Sequence, residues 1–197
     1  MPDEQKQKTK NPKFEYESWG YLTGDMLKKQ KDVKPNVEDV AGEFINEDKF
    51  VNLKNLLGFL RENKLNPRWA SGNSWSVKYK NKNVCYIKII RASWYVFHSN
   101  FTRENWFVEY DDYFADDGLK EFVQKNITGG HCPNNCKGRT KTIFGKDLAD
   151  ICTCWPYRLE NPDGAALENA KKVILAIKNF IADSSAGKKS MVKPARG

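Results

Sequence analysis

The chain has 197 residues, with 33 Lys and Arg against 25 Asp and Glu, a formal net charge of +8 and a pI near 9.1; 40% of it is hydrophobic and 13% aromatic. That is too apolar for a disordered polyelectrolyte and long enough to bury one sizeable core, so a single domain with polar tails is expected. No apolar run approaches the roughly 20 residues that cross a bilayer, and the opening MPDEQKQKTKNPK lacks the apolar stretch of a secretory signal, so a cytoplasmic chain with no membrane partner is expected.

Residues 1–36 read as a flexible N-terminal arm: polar, carrying Pro12 and Pro35, with few periodic apolar positions. From Asn46 the pattern changes. Asn46 suits an N-cap, Glu47 and Asp48 fall in the first turn, and Phe50, Leu53, Leu57 and Leu60 recur at helical spacing, which predicts a helix over 47–63. Asn66-Pro67 is the expected stop, since proline disfavours helical geometry in the residue before it.

Between Trp69 and Tyr113 the period falls to two. In WSVKY, Trp75, Val77 and Tyr79 share one face; after a turn at 80–83, VCYIKII alternates Cys85, Ile87 and Ile89 with Val84, Tyr86 and Lys88. A second turn at Arg91-Ala92-Ser93 leads into WYVFH, and NWFVEY from Asn105 reads as a fourth antiparallel strand. A second helix is expected from Asp116 or Asp117, with Leu119, Phe122 and Val123 inward. The last helix follows Asn161-Pro162-Asp163, read as a cap with proline in the first turn, and its stripe is Leu167, Ala170, Ile174, Ile177 and Ile181. The expected fold is α+β: an antiparallel sheet of about four strands with helices on one face and a Cys-rich loop before the C-terminal helix. It forms a single domain over 37–183, with the Cys-rich segment at 129–156 and a disordered basic tail at 184–197.

Five cysteines are present, and four crowd together: Cys132, Cys136, Cys152 and Cys154. The odd total argues against a secreted disulfide framework. Two close pairs joined by fifteen residues, punctuated by Gly129, Gly130, Gly138 and Gly145, can close a tetrahedral thiolate shell, so these four are the candidate ligands of a structural zinc ion. The pairs are C-x3-C and C-x-C rather than the C-x2-C knuckle of zinc ribbons, so reactive dithiols and unligated loop thiols stay open as readings. Cys85, among strand hydrophobes, reads as a core residue. His98, at a strand end beside Phe97, reads as a hydrogen-bonded edge residue, and no serine-histidine-acid order is recognisable.

Charge is segregated along the chain. From Arg61 to Arg91 there are eight basic residues and one acid; from Glu104 to Glu121 there are seven acids and one base. Lys78 and Lys80, placed on one strand face near Trp69, Trp75, Tyr79 and Tyr86, open the possibility of single-stranded nucleic acid as partner. Trp69, Trp75, Arg91, Trp94, Tyr95 and His98 are the candidate walls of a ligand site for a small molecule or a protein partner. The competing reading is that the aromatics fill the core.

GNSWSVKYKNKNVCYIKI followed by WYVFH resembles the sheet of uncharacterised bacterial α+β proteins of the YdhG-like type. HCPNNCKGRTKTIFGKDLADIC followed by WPYRLENPDGAALENAKKVI is similar to a cysteine-rich C-terminal segment of uncharacterised proteins from Gram-positive anaerobes. The resemblance covers residues 46 to 182 and implies a fold and a role for the thiols, without an activity or a substrate. The expectation is a non-enzymatic domain with a structural zinc site, binding its partner through a basic, aromatic sheet surface; a thiol redox protein is the alternative.

Overall fold

The computed structural model describes residues 24–98, 111–114, 116–127, 138–151 and 157–186. Three helices come first: α1 (Gly24–Val33), α2 (Val37–Phe44) and α3 (Glu47–Glu62). Asn46 caps α3, its side chain accepting from Lys49 N at 3.3 Å. The helix ends four residues short of Pro67, because Lys64 takes the left-handed conformation (φ 58°). Lys64 N then donates to Arg61 O at 2.9 Å and Leu65 N to Leu60 O at 2.8 Å. This is a Schellman turn sealed by the buried Leu65, so the stop comes from backbone chirality rather than from proline.

Strands β1 (Pro67–Ser71), β2 (Ser74–Tyr79), β3 (Lys82–Ile90), β4 (Ser93–His98) and β7 (Tyr157–Glu160) form one antiparallel sheet in the order β1-β2-β3-β4-β7. A separate ribbon pairs β5 (Arg139–Ile143) with β6 (Lys146–Ile151). Two-residue turns set the register: Lys80 and Asn81 both have positive φ (45° and 64°), as the twist of a tight hairpin requires. The architecture is α+β with an open antiparallel sheet, as expected. The NWFVEY segment lies outside the described residues; β1, β7 and the ribbon are strands that the alternation pattern does not reveal.

One face of the sheet is the core. Trp75, Val77, Cys85, Ile87, Ile89, Trp94, Val96 and Leu159 are buried on it, beneath α3 and the last helix, α5 (Gly164–Ser185), which buries the expected stripe from Leu167 to Ile181. Within β3 the alternation fails at one point. Val77 pairs with Cys85 and Lys78 with Asn83, which leaves Val84 as the extra residue of a β-bulge, and Val84 and Cys85 are buried together. Helix α4 (Asp117–Lys125) starts at Asp116, which caps Gly118 N at 2.8 Å.

Three boundaries differ from expectation. The cap of α5 is Asp163, not Asn161. Asn161 is engaged with β4 instead: its side chain accepts from Trp94 N (2.8 Å) and donates to Ser93 Oγ (3.0 Å), and its N–H donates to Trp94 O (2.8 Å). Residues 24–36, expected as part of an arm, are tied to the sheet. Gln30 is fully buried and Trp75 Nε1 donates to Pro35 O at 2.7 Å. Helix α5 also continues to Ser185, two residues into the stretch expected to be tail.

Candidate functional site

The four clustered cysteines, and His131 beside them, lie outside the described residues, as do the tail residues from 187 onward. What the fold provides is the position of their anchors. At the base of the ribbon, Arg139 pairs with Ile151; at the edge of the sheet, Ile127 bridges Tyr157. Segments 128–137 and 152–156 therefore each run between the same two paired positions. Cys152 follows Ile151 directly and Cys136 stands three residues before Arg139. Among the described residues, no group of three or more His, Cys, Asp or Glu side chains is placed to hold a metal ion.

The ribbon base requires glycine. An added Cβ at Gly138 would stand 2.4 Å from Asp150 Cα and 2.5 Å from its carbonyl carbon. Asp150 itself has φ 54°, in a ladder whose register slips between Arg139 and Lys141. Gly138→Ala is expected to break the Arg139–Ile151 pairing and cost about 1–3 kcal/mol, read as faster amide exchange at Ile151 and a lower urea midpoint.

The six candidate ligand residues do not line one wall. Trp75 and Trp94 are core, with indole N–H groups donating to Pro35 O (2.7 Å) and Lys49 O (3.1 Å). Trp69 pairs with Trp75 in register and is half-buried, its Nε1 donating to Gln30 Oε1 at 3.3 Å. Arg91 is exposed in the β3–β4 turn, with φ 54°. Tyr95 follows Trp94 on β4 and so faces away from it, out of the core.

His98 closes a buried row. Tyr86 pairs with Phe97, which carries the ladder on to set Cys85 beside His98, and His98 pairs with Tyr157. All three side chains are buried. Burial pushes the Cys85 thiol pKa well above its ordinary value; it also raises the Tyr157 phenol, with a further contribution from Cys85. Burial lowers His98 from 6.5 to about 4, against a smaller opposing effect of a hydrogen bond with the Asn83 backbone. A thiol nucleophile needs a lowered pKa and access to solvent; in this row burial favours the neutral thiol, imidazole and phenol.

The opposite face of the sheet carries the polar chemistry. Its central row reads Arg68, Ser76, Tyr86, Phe97, Arg158 across the five strands, and a second row reads Ser74, Lys88, Tyr95, Glu160 across four. Lys78, opposite Asn83, adds a fourth cation. Tyr86 and Phe97 stack at 5.1 Å and 14°, Asn83 Nδ2 donates to Tyr86 Oη at 2.7 Å, and the Arg158 guanidinium sits 5.6 Å from the Tyr95 ring centroid. Arg68 and Lys78 are exposed and Lys88, Arg158, Tyr86 and Tyr95 half-buried, while Ser74, Ser76 and Phe97 form a buried floor. Burial lowers the Lys88 pKa; the Tyr95 hydroxyl is raised, by burial first and then by Glu160.

Lys80, expected beside Lys78, instead leaves the face at the turn, and its ammonium reaches Ala182 O on α5 at 3.5 Å. Trp69, Trp75 and Tyr79 lie on the other side of the sheet from Lys78. The residues that sequence reasoning missed are Arg68 and Arg158, whose strands the alternation pattern does not reveal.

Comparison of the chain with family models, with curated proteins and with solved structures finds no match. Among the described residues, no helix is long and apolar enough to cross a membrane.

Proposed function

We propose that this chain is a non-enzymatic binding module that takes an anionic macromolecular partner on the outer face of its sheet, with a structural zinc ion held by Cys132, Cys136, Cys152 and Cys154. The observation that carries the binding reading is the composition of that face. Among the described residues, Arg68, Lys78, Lys88 and Arg158 share that face with Glu160, around Tyr86, Tyr95 and Phe97. Cations interleaved with aromatic rings on an open sheet suit a polyanion, through counterion release and stacking. Catalysis draws no support from Cys85 and His98, whose neutral, buried state is the reverse of an activated pair.

A fluorescent oligothymidylate is the first probe. Binding at low ionic strength, weakening steeply as salt is added and falling about tenfold in Arg158→Glu or Arg68→Glu, is the expected result. Capture of polyglutamate but not oligothymidylate would assign the face to an acidic protein segment. Retention of neither at low salt would remove the reading.

The zinc reading is supported by the shared anchors of the two cysteine segments. Four thiolates leave no open coordination position, so the ion would close the fold around the ribbon base rather than catalyse. Protein purified without added metal is expected to hold near-stoichiometric zinc, lost in Cys136→Ser and on chelation. Metal-free protein with a titratable disulfide would favour thiol redox chemistry instead.

A further inference from the structure

The β2–β3 hairpin ends in a cluster of cations. Tyr79 closes β2 and pairs with Lys82, the first residue of β3, so the two side chains leave the same face of the sheet. Lys80 and Asn81 form the two-residue turn between them, both with positive φ. The Lys80 ammonium lies 5.7 Å from the Tyr79 ring centroid, and the Lys178 ammonium, reaching over from α5, lies 5.5 Å from it. Lys80 also donates to Ala182 O at 3.5 Å, in the last turn of α5, where carbonyls lack partners within the helix. Lys78, one residue before Tyr79, pairs with Asn83 and belongs to the outer face. Lys78, Lys80 and Lys82 are exposed and Lys178 half-buried, and among the described residues no carboxylate stands within ion-pairing distance of any of the four. Asp183, next to Ala182, accepts instead from Tyr113 Oη at 2.7 Å.

We propose that a single-stranded nucleic acid held on the outer face of the sheet passes round the β2–β3 turn and sets further phosphates against Lys80, Lys82 and Lys178. This rests on the outer-face reading and extends it to a second surface. Like charges gathered about one ring repel one another, and an anion between them relieves that repulsion. The turn is only two residues long, so Lys78 on one face and Lys82 on the other stand at the same hairpin end and mark a continuous cationic path round it. A phosphodiester backbone carries a charge at every unit and so meets cations on both sides of the bend. Its bases can also stack on Tyr86 and Tyr95 of the outer face, which the side chains of an acidic peptide cannot do.

The test is the salt dependence of binding between the full chain and a fluorescent oligothymidylate of about 20 nucleotides. The triple variant Lys80→Gln, Lys82→Gln, Lys178→Gln is expected to lower the slope of log affinity against log salt by about 2, at about 0.7 for each lysine, and to weaken binding about tenfold or more at about 50 mM salt. Arginine at the same three positions should restore both. A control triple, Lys29→Gln, Lys31→Gln, Lys34→Gln, removes the same charge from exposed positions on α1, which Gln30 fastens to the β1–β2 turn at the other end of β2; it should leave the slope unchanged. Urea midpoints equal to that of the unaltered chain verify that the variants fold. The proposal is overturned, with the outer-face reading intact, if Arg158→Glu weakens binding while the Lys80, Lys82, Lys178 triple changes the slope by less than about 0.5 or no more than the control does. Absence of oligothymidylate binding by the unaltered chain at low salt overturns both readings. Polyglutamate binding that depends on the same three lysines, in a chain that ignores oligothymidylate, replaces the nucleic acid with an acidic protein segment and likewise overturns the proposal.

Discussion

Trp94→Ala will destabilise the domain by about 3–5 kcal/mol, a large fraction of the roughly 5–15 kcal/mol that holds a domain together. Trp94 is fully buried, pairs with Ile89 across the sheet, and lies between β4 and α3. Its indole N–H donates to Lys49 O at 3.1 Å, and the Lys49 ammonium reaches back to Ala92 O at 3.1 Å, so the β3–β4 turn and the first turn of α3 are fastened to each other through this pair. Removing the side chain leaves a cavity that the sheet cannot collapse, since Asn161 pins the Trp94 backbone on its other side. Urea unfolding followed by far-ultraviolet circular dichroism should show a lower midpoint with little change of slope. Trp94→Phe keeps most of the buried area and loses the hydrogen bond, at about 1 kcal/mol. Arg91→Ala, at the exposed turn three residues away, should shift stability by no more than about 0.5 kcal/mol. If Trp94 instead lined an open ligand wall, Trp94→Ala would be nearly as mild as Arg91→Ala, so the contrast separates core from pocket.

The parts of the fold legible in the sequence are those whose burial follows a simple period. Helix α3 announces itself by its Asn46 cap and leucine stripe, and β2, β3 and β4 by alternation between tight turns. Strand β7 is too short to show a period. The ribbon strands bury little beyond Ile143 and Ile151, so their pattern reads as loop. The cationic outer face was legible as a basic block but not as a surface, because two facts that decide it are three-dimensional. The bulge at Val84 reverses the alternation within β3, and Lys80 turns back toward α5. Arg68 and Arg158, ninety residues apart, fall in one row because β1 and β7 are the end strands of the described sheet.

Helix α1 was illegible for a different reason: the buried contact that Gln30 makes with the sheet is polar. Gln30 is fully buried, and its amide works as a clasp on the β1–β2 turn. Oε1 accepts from Asn73 N at 3.0 Å and from Trp69 Nε1 at 3.3 Å, and Nε2 donates to Asn73 Oδ1 at 2.6 Å. A hydrophobic pattern has no way to register such a residue. Gln30→Leu removes all three bonds while keeping the buried volume, and is expected to cost about 2–4 kcal/mol, because buried groups that lose partners bear their desolvation cost. Asn73→Gly tests the same clasp from the other side: Asn73 has φ 49°, which glycine adopts freely, so that substitution removes the side chain without straining the turn. The two substitutions together should cost less than the sum of each alone, by about 1 kcal/mol or more, since they delete one shared bond. Additive losses would mean that α1 is held by its neighbours and the clasp contributes nothing of its own. Deleting residues 1–36 would remove the clasp and also the Pro35 carbonyl that accepts from Trp75, so that truncation should lower the unfolding midpoint at least as far as Gln30→Leu, where loss of a merely tethered arm would leave it unchanged.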